Sequence, residues 1–91
     1  MEKYVEEVSR NFQAALIVTT KEGNVYRLGK PSGPFDQRFV KKDGGNYGVP
    51  ARAALVRCKV GERMLLKTVR GAGASTNVVK IIEVVEGEGE D

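Results

Sequence analysis

The spacing of apolar positions changes once along this chain, near residue 13. Between residues 2 and 12, Tyr4, Val5, Val8 and Phe12 recur at intervals of three and four, with Glu2 near the start and Arg10 near the end. That spacing, with each charge where the helix dipole favours it, predicts a short N-terminal amphipathic helix. Tyr, Val and Phe also suit a pleated surface, so a strand is the competing reading of the same segment. From Ala14 the pattern is that of strands. Ala14 to Thr20 is a short apolar run rich in β-branched residues, Lys21-Glu22-Gly23-Asn24 supplies a turn, and Val25 to Leu28 returns as a second strand.

Gly29 to Pro34 holds two prolines and two glycines and is a loop, since the prolines remove donors and the glycines loosen the rest. A third strand is expected around Arg38-Phe39-Val40-Lys41, followed by a glycine-rich loop from Asp43 to Pro50 with Tyr47 at its centre. Residues 51 to 59 read equally as one short helix, through Leu55 and Cys58, or as a strand in which Ala54, Val56 and Cys58 alternate with Leu55 and Arg57. Two further strands are predicted at 63 to 70 and 77 to 85, joined by the small-residue loop Gly71 to Thr76. Short strands joined by turns need no crossover helix, and the expected fold is a mainly β, small antiparallel β-barrel over residues 1 to 85. The Val60-Gly61-Glu62-Arg63 turn leading into an apolar strand resembles turns of oligonucleotide-binding barrels. The resemblance, over about residues 13 to 85, is to the OB-like and SH3-like class, and it implies a groove formed by one sheet face and its flanking loops.

Charge sharpens the picture. The whole chain has 15 Lys or Arg against 12 Asp or Glu, a net +3, but five of the acids lie between Glu83 and Asp91. From Arg10 to Lys80, fourteen Lys or Arg stand against Glu22, Asp36, Asp43 and Glu62, a net of +10. Such a body attracts polyanions, and nucleic acid is the commonest one in a cell. A thermophile's charged surface is the bland alternative, although there acids tend to balance bases. Residues 86 to 91 alternate acid with glycine and are expected to form a flexible tail. The first residues lack the layout of a signal peptide, and no apolar run approaches the roughly eighteen residues of a membrane span. A cytoplasmic protein without membrane contact is therefore expected.

The absence of histidine and the single cysteine argue against zinc, an internal disulfide and His-based acid–base chemistry, and no cofactor is expected. Cys58 reads as a small core residue. The four body acids sit in or beside turns, where local hydrogen bonding is their ordinary role, and nothing selects a catalytic pair. Arg70-Gly71-Ala72-Gly73-Ala74-Ser75-Thr76 could cradle a phosphate with its backbone N–H groups, yet it lacks the ending of a P-loop. The stronger signal is cations interleaved with rings, because phosphates need the first and unstacked bases the second. The candidate contacts are Arg27, Lys30, Phe35, Arg38, Lys41, Lys42, Tyr47, Arg52 and Arg70, while Phe12, Tyr26 and Phe39 are assigned to the core.

The sequence thus predicts a non-catalytic protein that binds single-stranded DNA or RNA with low sequence specificity. Single strands are preferred to duplex because no groove-reading helix is visible. The alternative is a small accessory subunit docking on a larger replication, transcription or RNA-processing enzyme, as small basic barrels do in archaeal machinery such as DNA polymerase complexes. An enzyme using carboxylates or the small-residue loop ranks last. Removing Glu86 to Asp91, which hold no apolar side chain, is expected to leave the melting temperature nearly unchanged. A loss of several degrees would show that the segment packs.

Overall fold

In the computed structural model, residues 3 to 85 are described. They form eight antiparallel strands: β1 (Tyr4–Val5), β2 (Glu7–Val8), β3 (Ala15–Thr20), β4 (Val25–Leu28), β5 (Gln37–Lys42), β6 (Arg52–Lys59), β7 (Arg63–Lys67) and β8 (Gly73–Val85). The strands β3 to β8 pair in chain order. The thirteen-residue β8 pairs with β7 through its first half and with β3 through its second, so the sheet closes partly in a ring. No helix occurs among the described residues, and hence none long and apolar enough to cross a membrane. The acidic segment 86 to 91 lies outside the described residues.

The expected N-terminal helix is not formed. Tyr4 and Val5 pair with Glu83 and Ile82 of β8, and Glu7 and Val8 pair with Lys59 and Cys58 of β6. Val60 donates its N–H to the Glu6 carbonyl between them. Sheet edges offer this segment a hydrogen-bonded ladder, and burial of Val8 in the core outweighs the weak local preference of a helix of barely three turns. The competing strand reading holds for these residues.

Alternation accounts for the core. Leu16, Val18 and Thr20 of β3 point inward, as do Tyr26 and Leu28 of β4 and Met64 and Leu66 of β7, all nearly inaccessible. The β3–β4 turn forms as the sequence predicts: the Gly23 N–H bonds the Thr20 carbonyl, and Gly23 takes φ of 90°, a conformation that disfavours side chains. Residues 51 to 59 were ambiguous because β6 carries a register shift between Leu55 and Arg57. Ala53 and Leu55 face the core before it and Cys58 after it, which mimics a helical interval. The loop expected from Gly71 to Thr76 is shorter than predicted. Gly73, Ala74 and Ser75 already pair with Lys67, Leu66 and Leu65.

One inward position of β5 is a charge. Arg38 is 0% exposed, and its guanidinium donates to the carbonyls of Ala14 (2.9 Å), Gly29 (3.0 Å) and Phe12. Burial lowers its pKa, while the nearby Cys58 and Asp36 oppose that shift. The same burial pushes the Cys58 thiol up to about 12, so it stays protonated in the folded protein. Arg38→Met is expected to cost about 3 kcal/mol or more in urea unfolding, because three carbonyls lose their donor inside the fold. A cost under about 1 kcal/mol would show that water replaces the guanidinium. Cys58 is expected to resist iodoacetamide at pH 8.5 in the native protein and to react promptly in denaturant.

Candidate functional site

The outward positions of the central strands follow from the same alternation. With Arg38 and Val40 inside, Gln37, Phe39 and Lys41 of β5 face outward, and Arg27 is outward on β4 between the buried Tyr26 and Leu28. Register sets these groups beside one another: Arg27 lies opposite Lys41, and Phe39 lies opposite Arg52. The Arg52 guanidinium carbon stands 4.9 Å from the centre of the Phe39 ring, within cation–π range. The ring is nevertheless 66% exposed. A shallow groove of about 310 Å³ runs beside it, lined by Ile17, Arg27, Gly29, Phe39 and Lys41, with Val85 at its margin. Gly29 adds no side chain there, so the flank of Phe39 stays open.

The sequence pattern assigns Phe39 to the core and Arg38 to the surface, and the structure exchanges them: Phe39 is on the surface and Arg38 in the core. The two assignments exchange because Arg38 and Val40 share one face of β5 and Phe39 takes the other. Arg38 therefore leaves the set of candidate contacts, since its two terminal nitrogens already donate to carbonyls and the side chain, its unpartnered Nε included, has no access to solvent. Lys42 is half-buried and lies in the inward register, away from Lys41. Tyr26 is buried and Phe12 packs partly against the core, as expected.

The remaining candidates divide between this face and the loops. Lys30 is exposed just after Gly29. Tyr47 is 96% exposed in the β5–β6 loop, which Asn46 anchors by donating to the Val40 carbonyl (2.7 Å) and accepting the Lys42 N–H (2.9 Å). Phe35 and Arg70 meet across a second, more enclosed cleft of about 310 Å³, together with Arg10, Gln37, Ala54 and Lys67. The sequence pattern does not single out Phe39, Arg10 or Lys67 as neighbours of these candidates. Neighbouring apolar residues in β5 leave the inward choice open, and the cations gather only through pairing.

The acids have local occupations. Asp43 accepts from Arg27 at 3.2 Å and Glu62 from Arg57 at 3.3 Å, both pairs being half-exposed and weakly stabilising. Asp36 occupies a turn with φ of 52°. No cluster of three or more metal-ligating side chains occurs among the described residues. The small-residue loop does not form a phosphate cradle: Gly71 N–H bonds the Thr68 carbonyl, Ala72 N–H the Thr68 hydroxyl, and the Thr76 hydroxyl is buried, donating to the Asn77 carbonyl.

Comparisons with protein-family models, with curated proteins and with solved structures found no match to this chain. Substitution Phe39→Ala is expected to lower folding stability by less than about 1 kcal/mol, the scale of an exposed cation–π contact. By contrast, Tyr26→Ala should cost about 3 kcal/mol through the cavity it leaves. Urea titrations of both variants check the exchange of core and surface roles.

Proposed function

We propose that the protein is a small non-catalytic barrel of the OB-like or SH3-like class that binds single-stranded DNA or RNA with little sequence preference. The partly closed ring of β3 to β8 is consistent with that class. The observation that carries the function is the exposed Phe39 ring set among Arg27, Lys41 and Arg52 on one outer sheet face. Single strands need a flat ring for an unstacked base and cations spaced along the phosphates. Duplex recognition would call for a helix or ribbon that enters a groove, and neither the sequence nor the described residues offer a recognition helix. The Asp43 carboxylate competes for Arg27 only weakly, because both side chains are about half exposed.

A second reading, an accessory subunit of a larger replication, transcription or RNA-processing enzyme, draws on a different feature. A depression of about 370 Å³ on β6, β7 and β8 is lined by Val56, Leu65 and Ala74 on a surface otherwise rich in cations. Recovery of a partner from native lysate after nuclease treatment would favour it.

Binding to an oligothymidylate should weaken with salt at a slope of roughly −3.5 in log–log form if about five phosphates are neutralised. Phe39→Ala should cost about 1 to 3 kcal/mol of affinity if the ring stacks on a base, and the double variant Arg27→Ala, Lys41→Ala should reduce the salt slope. Affinity absent at low salt, or insensitive to salt, would overturn the nucleic-acid reading.

A further inference from the structure

The cleft beside Ala54 has a composition different from the rest of the surface. Ala54 lies on the opposite side of β6 from the core residues Ala53 and Leu55, yet it is only 3% exposed. It forms the cleft floor, with Gln37 of β5 and Lys67 of β7 its register neighbours on either side. Arg10 and Phe35 come from the loops before β3 and β5 and are tied together, the Arg10 guanidinium donating to the Phe35 carbonyl at 3.3 Å. Arg70 comes from the β7–β8 loop. Three cations thus line one small space, no acid lines it, and neither Lys67 nor Arg70 has an ion-pair partner among the described residues.

The position relative to Phe39 gives this space a meaning. Gln37 is two residues from Phe39 on the outer face of β5, and Ala54 two residues from Arg52 on β6, so the cleft continues the face that carries the Phe39–Arg52 pair, with Gln37 and Phe39 about 6.6 Å apart along the strand. That is a step of the order of one nucleotide. The cleft's volume of about 310 Å³ is at the lower limit of small-molecule sites, enough for one nucleotide unit and not for a length of strand. An internal phosphodiester carries one negative charge, whereas a terminal phosphomonoester carries about 1.5 to 2 at neutral pH and presents three acceptor oxygens. Three converging cations match the second better. Phe35, 57% exposed, offers a ring to the terminal base.

We propose that this cleft is a subsite for the terminal phosphate of a single strand, held by Arg10, Lys67 and Arg70, so that the protein binds preferentially at phosphorylated strand ends. The assignment rests on the nucleic-acid reading above. Fluorescence anisotropy with a short oligothymidylate in three forms, unphosphorylated, 5′-phosphorylated and 3′-phosphorylated, tests it. One phosphorylated form should bind about tenfold tighter than the unphosphorylated strand, the scale of one added charge-assisted contact. Lys67→Ala and Arg70→Ala should each shrink that preference, whereas Phe39→Ala should weaken all three forms alike. Equal binding of the three forms overturns the terminal-phosphate subsite and leaves strand binding standing; a cleft suited to an acidic protein segment would give this result. Failure of every form to bind at low salt overturns the nucleic-acid reading instead. In that event, NMR titration with thymidine 5′- and 3′-monophosphate against thymidine decides the subsite on its own. Phosphate-dependent shifts at Gln37 and Ala54 support it, and their absence overturns it.

Discussion

The buried guanidinium of Arg38 is the constraint around which this small fold is arranged. It sits on an inward position of β5 and donates to carbonyls of Phe12, Ala14 and Gly29, which belong to the approach to β3 and the exit from β4. Those chain segments run where no strand partner serves these carbonyls, and a buried carbonyl without a donor is costly. One planar group with several fixed donors can satisfy three acceptors at once, which a lysine ammonium on a flexible stem does less well. No carboxylate among the described residues pairs with it, so the charge is stabilised by peptide dipoles. Proximity to that charge pulls the Cys58 thiol down, but burial dominates and leaves it protonated.

The same interaction determines what the surface displays. Once Arg38 is inside, strand alternation commits Phe39 to the outside and aligns it with Lys41 on its own strand and Arg52 on the next. The Phe39 ring contributes little to folding stability, because most of it stays in water. Core and candidate interface are therefore two consequences of one choice of face for β5. The N-terminal strands act in the same direction by pairing with β6 and β8, which covers edges that the ring leaves open.

Charge is distributed less evenly than the net value implies. The outer faces of β4, β5 and β6 gather Arg27, Lys41 and Arg52, and the adjoining cleft gathers Arg10, Lys67 and Arg70, while Asp43 and Glu62 are engaged by single arginines. Residues distant in the chain become neighbours through antiparallel register: Lys67 reaches Gln37 only because both flank Ala54. Such clustering raises the local potential above what isolated surface lysines would produce.

A β-rich chain, the β3–β4 turn at Gly23, the strands near residues 14 to 28 and 63 to 85, and the basic body are all legible in the sequence, because β-branched runs, turn residues and charge counts act locally or additively. The sequence also locates Arg27, Lys41 and Arg52, without saying that they share a face. Three things waited for tertiary structure. The N-terminal segment had local spacing for a helix, but sheet edges supplied partners that a short isolated helix could not match. The register shift in β6 blurred the alternation through Val56 and hid a strand. Above all, Arg38 and Phe39 are adjacent on a strand whose pattern is compatible with either face inward; carbonyls contributed from Phe12, Ala14 and Gly29 decided it, and no local pattern records a hydrogen-bond demand made by residues up to twenty-six positions away.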